Sequence, residues 1–138
     1  MDQPYNAMTV DVILENYPVA SIRDIKDGPI SIGLWSRPLV QVSGQMLTLN
    51  DIELRIIRPT FNEPRIHYAL NCAAVRCPNL MNRAWQVKTL ERDFAAAERA
   101  YVNDPRGVRF DARGRLILSK IYTWFREDFG ANEQAVLN

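Results

Sequence analysis

The chain has 138 residues, the length of one ordinary domain, and a chain of this size can bury a hydrophobic core without a metal or disulfide framework. Hydrophobic residues make up 47% and charged residues 24% of it, which excludes intrinsic disorder as the main state. Because 17 basic residues nearly balance 16 acidic ones, the basic excess of a nucleic-acid-binding protein is missing, and we expect no nucleic-acid partner. No apolar run approaches the roughly 20 residues that span a bilayer, so we expect no membrane span.

The first predicted helix begins near Asp2, a helix-capping residue type, and ends before Pro18. It is apolar on more than one side, so it must be covered from several directions and we place it in the interior. A missing N-terminal segment or a partner could supply part of that cover. After the helix, the residues Asp27-Gly28-Pro29 predict a turn.

Two β-hairpins are predicted farther along. The segments 39–42 and 45–49 flank the turn-forming pair Ser43-Gly44, and a second hairpin joins 108–110 to 115–118. Together they predict a small antiparallel sheet.

Two further helices are predicted between the first hairpin and the second. The first is capped by Thr48 or Asn50 and is ended by Pro59. The second covers 87–102, where apolar residues recur at spacings of three and four.

A last helix is predicted from Ser119 to Gly130, followed by a frayed tail over 131–138. Helices and hairpins mix without a regular strand–helix alternation, which is typical of the α+β class. We therefore predict a single domain over 1–130 with about four helices, for which a cysteine-peptidase-like fold is one hypothesis.

The most informative segment is 65–72, predicted to be a strand, and the loop after it. The predicted strand contains His67, the only histidine of the chain. Of the two cysteines, Cys72 is the last residue of the strand and Cys77 lies in the loop. In a regular strand His67 and Cys72 point to opposite faces, so Cys72 is expected to pack in the interior. Cys77 lies in the loop, preceded by Arg76, where exposure and positive charge favour a thiolate.

This pattern predicts a thiol-dependent hydrolase or transferase acting on an amide or thioester of a small molecule or peptide. Cys77 would be the nucleophile and His67 the general base and then acid. Asn71 or a carboxylate would orient the imidazole, and backbone N–H groups near Cys77 would stabilise the oxyanion.

Other interpretations stay open. In a non-catalytic binding or scaffold module, His67 and the two cysteines would serve packing or a local disulfide. Cys72 and Cys77 could form a local disulfide in an oxidising compartment. Metal binding ranks last, because two cysteines and one histidine lack the paired spacing of zinc sites, and no metal or other cofactor is expected.

Four carboxylates are weaker candidates. Asp51 and Glu53 could supply an acid or base, but the first turn of a helix attracts carboxylates for its dipole alone. Glu127 and Asp128 are expected to be solvated surface residues. The phosphate-binding, dinucleotide-binding and serine-hydrolase motifs are absent, which argues against those classes.

The order and spacing of short motifs along nearly the whole chain resemble one family, the domain of unknown function 547 family. The motifs are YNAMT (5–9), NYPVASIRDI (16–25), LTLNDIE (47–53), IRP (57–59), PRIHYALNCAA (64–74), CP (77–78), LSKI (118–121) and WFREDF (124–129).

The resemblance implies that residues 1–130 correspond to the C-terminal part of the family's domain, because members usually carry more chain ahead of YNAMT. The chain therefore looks truncated, and this copy would be inactive if its site needs the missing part. The first six residues lack the features of a signal peptide, which predicts a cytoplasmic location by default. Bacterial members are often exported, which implies export, and favours a disulfide, if the true N-terminus is missing.

Overall fold

The computed structural model describes residues 4–26 and 33–130. Within them are five α-helices and two antiparallel sheets of two strands each, which confirms the α+β class. The predictions at Asp2, at 27–29 and at 131–138 lie outside the described residues. None of the described helices is both long enough and apolar enough to span a membrane.

The helices and strands follow in chain order. They are α1 Pro4–Glu15, β1 Pro38–Val42, β2 Gln45–Thr48, α2 Arg58–Phe61, α3 Leu90–Val102, β3 Val108–Phe110, β4 Leu116–Leu118, α4 Ile121–Trp124 and α5 Arg126–Phe129. Short 3₁₀ segments lie at Ile22–Asp24, Leu34–Ser36, Pro64–Tyr68 and Val87–Thr89, and a π-helical segment lies at Asp51–Ile57.

Helix α1 is a surface helix, so its predicted interior position is wrong. Its buried residues are Tyr5, Thr9 and Val12, and the helix contacts β1 and the π-helical segment. Val12 packs with the buried Ile22, Ile25 and Leu34. Val10 and Leu14, apolar residues on another side of the helix, are 38% and 66% exposed. A helix packed on one side necessarily turns a second row outward, whatever its hydrophobicity.

Both predicted hairpins are confirmed. Strands β1 and β2 pair around Ser43 and Gly44, whose φ angles of 50° and 83° match a tight two-residue turn, and β3 pairs with β4. Thr48 caps the helix that follows β2, as predicted, because its Oγ1 accepts a hydrogen bond from the Asp51 N–H at 3.0 Å. The Asp51 carboxylate in turn accepts from the Thr48 N–H at 3.0 Å.

Pro59 does not end this helix. The π-helical segment runs directly into α2, and Pro59 occupies the first turn of α2, where proline is tolerated. The helix ends at Phe61, and Asn62 then adopts a left-handed conformation with φ of 45°.

The predicted strand over 65–72 is wrong. Pro64–Tyr68 forms a 3₁₀ turn that starts with a proline and is capped by Glu63, whose carboxylate accepts from the Arg65 N–H at 3.0 Å. A period of three sends successive side chains in different directions. The apolar residues Ile66, Tyr68 and Leu70 therefore alternate because each packs into a different part of the core, and not because they lie on one face of a sheet.

Residues 66–70 join three separate parts of the core. Ile66 and Ala69 pack with Trp85 and with Phe94 of α3. Tyr68 packs with Tyr101 of α3 and with α4, and Leu70 packs with residues of α1 and the π-helical segment. This segment is therefore held in place from several sides at once.

The two later helices are confirmed in position but not in detail. The predicted helix over 87–102 is α3 with a 3₁₀ first turn. The predicted last helix is two helices, α4 and α5, interrupted at Phe125, whose φ and ψ are −116° and 33°.

We expect Leu49→Ala to lower the free energy of unfolding by about 2–5 kcal/mol, because Leu49 has 0% exposure and its truncation leaves a cavity. Leu14→Ala is the matched control and should cost less than about 1 kcal/mol, since Leu14 is 66% exposed. Urea denaturation followed by circular dichroism measures both. Equal costs would contradict the core described here.

Candidate functional site

His67 lies in the wall of a cleft of about 560 Å³ that is also lined by Cys72 and Cys77. Its side chain is 1% exposed. The imidazole stacks on the Phe125 ring, with ring centroids 3.8 Å apart and planes 16° from parallel. The break between α4 and α5 at Phe125 places that ring against the 3₁₀ turn.

Asp128 holds the imidazole from the side of α5. Its Oδ2 lies 2.6 Å from His67 Nε2. Arg58, from α2, donates to the same carboxylate twice, from Nε to Oδ2 at 2.6 Å and from Nη2 to Oδ1 at 2.8 Å. A two-point contact of this kind fixes the orientation of the carboxylate as well as its position.

The charges of this group follow from its surroundings. The Arg58 hydrogen bonds, followed by the His67 hydrogen bond, hold the pKa of Asp128 below its usual value. Burial lowers the pKa of His67, and the Asp128 hydrogen bond opposes that shift. At neutral pH we therefore infer an ionised Asp128 beside a neutral imidazole. An ionised carboxylate only accepts hydrogen bonds, so Nε2 carries the proton and Nδ1 is the basic nitrogen.

Glu53 faces that basic nitrogen from the π-helical segment. Its Oε1 lies 3.8 Å from His67 Nδ1, which is too far for a direct hydrogen bond. Glu53 is 8% exposed, and burial raises the pKa of its carboxyl group. The hydroxyl of Tyr5 hydrogen-bonds to Glu53. π-Helical segments are frequent at functional sites, and this one brings an acid to the imidazole.

The two cysteines form a disulfide, with their Cα atoms 6.4 Å apart. Cys77 is 4% exposed and Cys72 is half-buried, so the predicted order of their exposure is wrong. The Cys72 N–H also donates to Cys77 Sγ at 3.3 Å. The disulfide and this hydrogen bond hold the end of the loop against Cys72 at its start, which places the Cys77 side chain in the interior.

Asn71 hydrogen-bonds to this loop. Its Nδ2 donates to the Pro78 carbonyl at 2.6 Å, and its Oδ1 accepts from the Ala73 N–H at 2.8 Å. Tyr101 of α3 holds the far side by donating to the Arg76 carbonyl at 2.5 Å. Of the two orienting groups expected for His67, an amide or a carboxylate, the carboxylate Asp128 is the one in contact with the ring.

Sequence reasoning missed the roles of Arg58 and Asp128. Asp128 is half-buried rather than a solvated surface residue, and Arg58 was not singled out at all. The available signal was their position in two of the shared motifs, IRP and WFREDF. Glu53 was named as an acid or base candidate, whereas Asp51 serves the helix cap.

We expect Asp128→Asn to lower the pKa of His67, because the substitution keeps a hydrogen-bond acceptor and removes the negative charge that favours protonation. An NMR titration measures this cleanly, since His67 supplies the only imidazole signal of the chain. Glu127→Gln is the control, because the neighbouring Glu127 is exposed. An unchanged or raised pKa in Asp128→Asn would contradict the described contact.

Within the ranges 4–26 and 33–130, no group of three or more His, Cys, Asp or Glu side chains is arranged to hold a metal ion. Comparison with curated proteins and with solved structures finds no match. The family model described as a protein of unknown function, DUF547, matches residues 4–102. This range includes His67, both cysteines, Glu53 and Arg58, and covers well over half of the chain. The chain therefore belongs to the DUF547 family.

Proposed function

We propose that the protein is a thiol-dependent hydrolase or transferase for an amide or thioester, with Cys77 as nucleophile. The observation that carries the proposal is that His67, oriented by Asp128, lines the same cleft as Cys77. A general base needs a defined tautomer and a fixed ring, and the Asp128 contact supports both.

The proposed activity belongs to the reduced protein. In the disulfide the two sulfurs are bonded to each other, so neither is a thiol or thiolate that can attack a carbonyl carbon. An external dithiol that donates two electrons and two protons would be oxidised to its disulfide while Cys72 and Cys77 become thiols. The wild-type protein should therefore be active only after its disulfide has been reduced.

Acyl transfer would then proceed in two steps. His67 Nδ1 takes the Cys77 Sγ proton, the sulfur attacks the carbonyl carbon, and the amine or thiol leaves with the proton from the imidazole. Water, deprotonated by the same nitrogen, attacks the Cys77 thioester; the acid is released and the imidazole returns the proton to the leaving Cys77 sulfur. A different acceptor nucleophile in place of water gives transfer instead. The Cys72 N–H already donates to Cys77 Sγ, so it is available to stabilise the negative charge on that sulfur when the thiolate forms. Asn71 is a positioning residue in this scheme.

We expect Cys77 in Cys72→Ser, which is then the single thiol of the chain and is free without any reductant, to react quickly with iodoacetamide at neutral pH. The double variant with His67→Gln should react roughly tenfold more slowly or worse, because the base that favours the thiolate is lost. Mass spectrometry of the labelled peptide measures the rates. Cys77→Ser is the matched control, in which the remaining Cys72 should react slowly.

An acyl probe tests the step itself. With p-nitrophenyl acetate, Cys72→Ser should release about one equivalent of nitrophenol in a fast phase, and Cys77→Ser should show no such phase. Similar labelling of both thiols, with no effect of His67→Gln and no acylation, would exclude the thiol mechanism. The alternative would then stand, a non-catalytic binding or scaffold module in which the histidine and cysteines serve packing.

A further inference from the structure

A second cavity, of about 410 Å³, shares the buried residues Tyr5 and Leu70 with the cleft that holds His67. It lies between the start of α1, the first hairpin, the π-helical segment and α3. We propose that this cavity binds an uncharged amphiphile, with an aliphatic chain inside and a hydroxyl or amide head at the mouth. The inference is independent of the proposed thiol chemistry.

The lining carries almost no polar chemistry. Among the described residues that line it, none has an acidic or basic side chain, and the polar side-chain groups are those of Tyr5, Thr60 and Gln86 and the indole N–H of Trp85. The Tyr5 hydroxyl is already hydrogen-bonded to Glu53. The apolar lining comprises Pro4, Val42, Leu47, Ile52, Ile56, Ile57, Phe61, Ile66, Ala69, Leu70, Trp85, Val87, Leu90 and Phe94.

An apolar lining of this kind favours a hydrocarbon chain over water or a charged group. Water inside an apolar cavity finds too few hydrogen-bond partners to be held, whereas a hydrocarbon gains free energy with each buried methylene. A carboxylate or ammonium group would lose its hydration without meeting an opposite charge. The volume falls within the range of pockets that take ligands of drug or lipid-chain size.

The residues at the mouth of the cavity also fit an uncharged amphiphile. Ile56 and Phe61 are 43% and 40% exposed, and Val87 is 72% exposed, so apolar side chains reach solvent around the entrance. Thr60 and Gln86 are also exposed there and offer uncharged hydrogen-bonding groups. An uncharged head group can bond to them while the chain lies inside.

The test uses the full chain and N-phenyl-1-naphthylamine, an uncharged probe that fluoresces in apolar surroundings. We expect saturable binding of one probe per chain, displaced by decan-1-ol below its solubility limit. Decanoate at pH 8 should displace the probe roughly tenfold less effectively, because none of the described lining residues offers its carboxylate a basic side chain. The oxidised protein suffices, so loss of Cys77 reactivity leaves this result unaffected.

Val87→Glu should weaken probe binding roughly tenfold or more by placing a charge at the entrance. Val75→Glu is the matched control, because Val75 is 87% exposed and lines the His67 cleft instead. Circular dichroism checks that both variants fold. Absence of saturable binding, equal weakening by the two substitutions, or equal displacement by decanoate and decan-1-ol would each overturn the proposal.

Discussion

Residues 66–70 pass through the interior without belonging to a sheet, and their side chains are buried in three different directions. Ile66, Tyr68 and Leu70 each complete a different part of the core. The 3₁₀ turn over 64–68 contributes to this, because its period of three spreads Ile66, His67 and Tyr68 around the axis. His67, in the middle of this segment, can therefore move little. The orientation of the candidate base follows from the packing of its neighbours.

The contact of Asp128 with Arg58 and His67 completes the site from the other end of the chain. Asp128 is separated from His67 by 61 residues and from Arg58 by 70 residues. A half-buried carboxylate with two Arg58 hydrogen bonds keeps its charge, and that charge fixes the tautomer of the imidazole. The stacking of Phe125 on the ring links the same helix pair to the site. Arg58 thus acts on His67 through Asp128.

Two cavities with different chemistry lie on either side of Tyr5 and Leu70. The π-helical segment contributes to both, since Ile52 lines the apolar cavity and the adjacent Glu53 lines the cleft with His67. Consecutive residues of a helix point in different directions, so one segment can supply an apolar wall and an acid. The separation keeps a buried acid–imidazole pair away from a cavity suited to hydrocarbon.

Local sequence determined the parts of the fold whose cause is local. The Ser43-Gly44 turn predicts its hairpin, and the helical period of 87–102 predicts α3, because both depend on neighbouring residues. The strand predicted over 65–72 is wrong, since burial from three sides produces the same apolar alternation as a half-buried strand. The importance of Asp128 and the inward position of Cys77 were decided only by tertiary structure. Pairing across 61 residues and closure of a loop depend on where the rest of the chain packs, and no local periodicity records that.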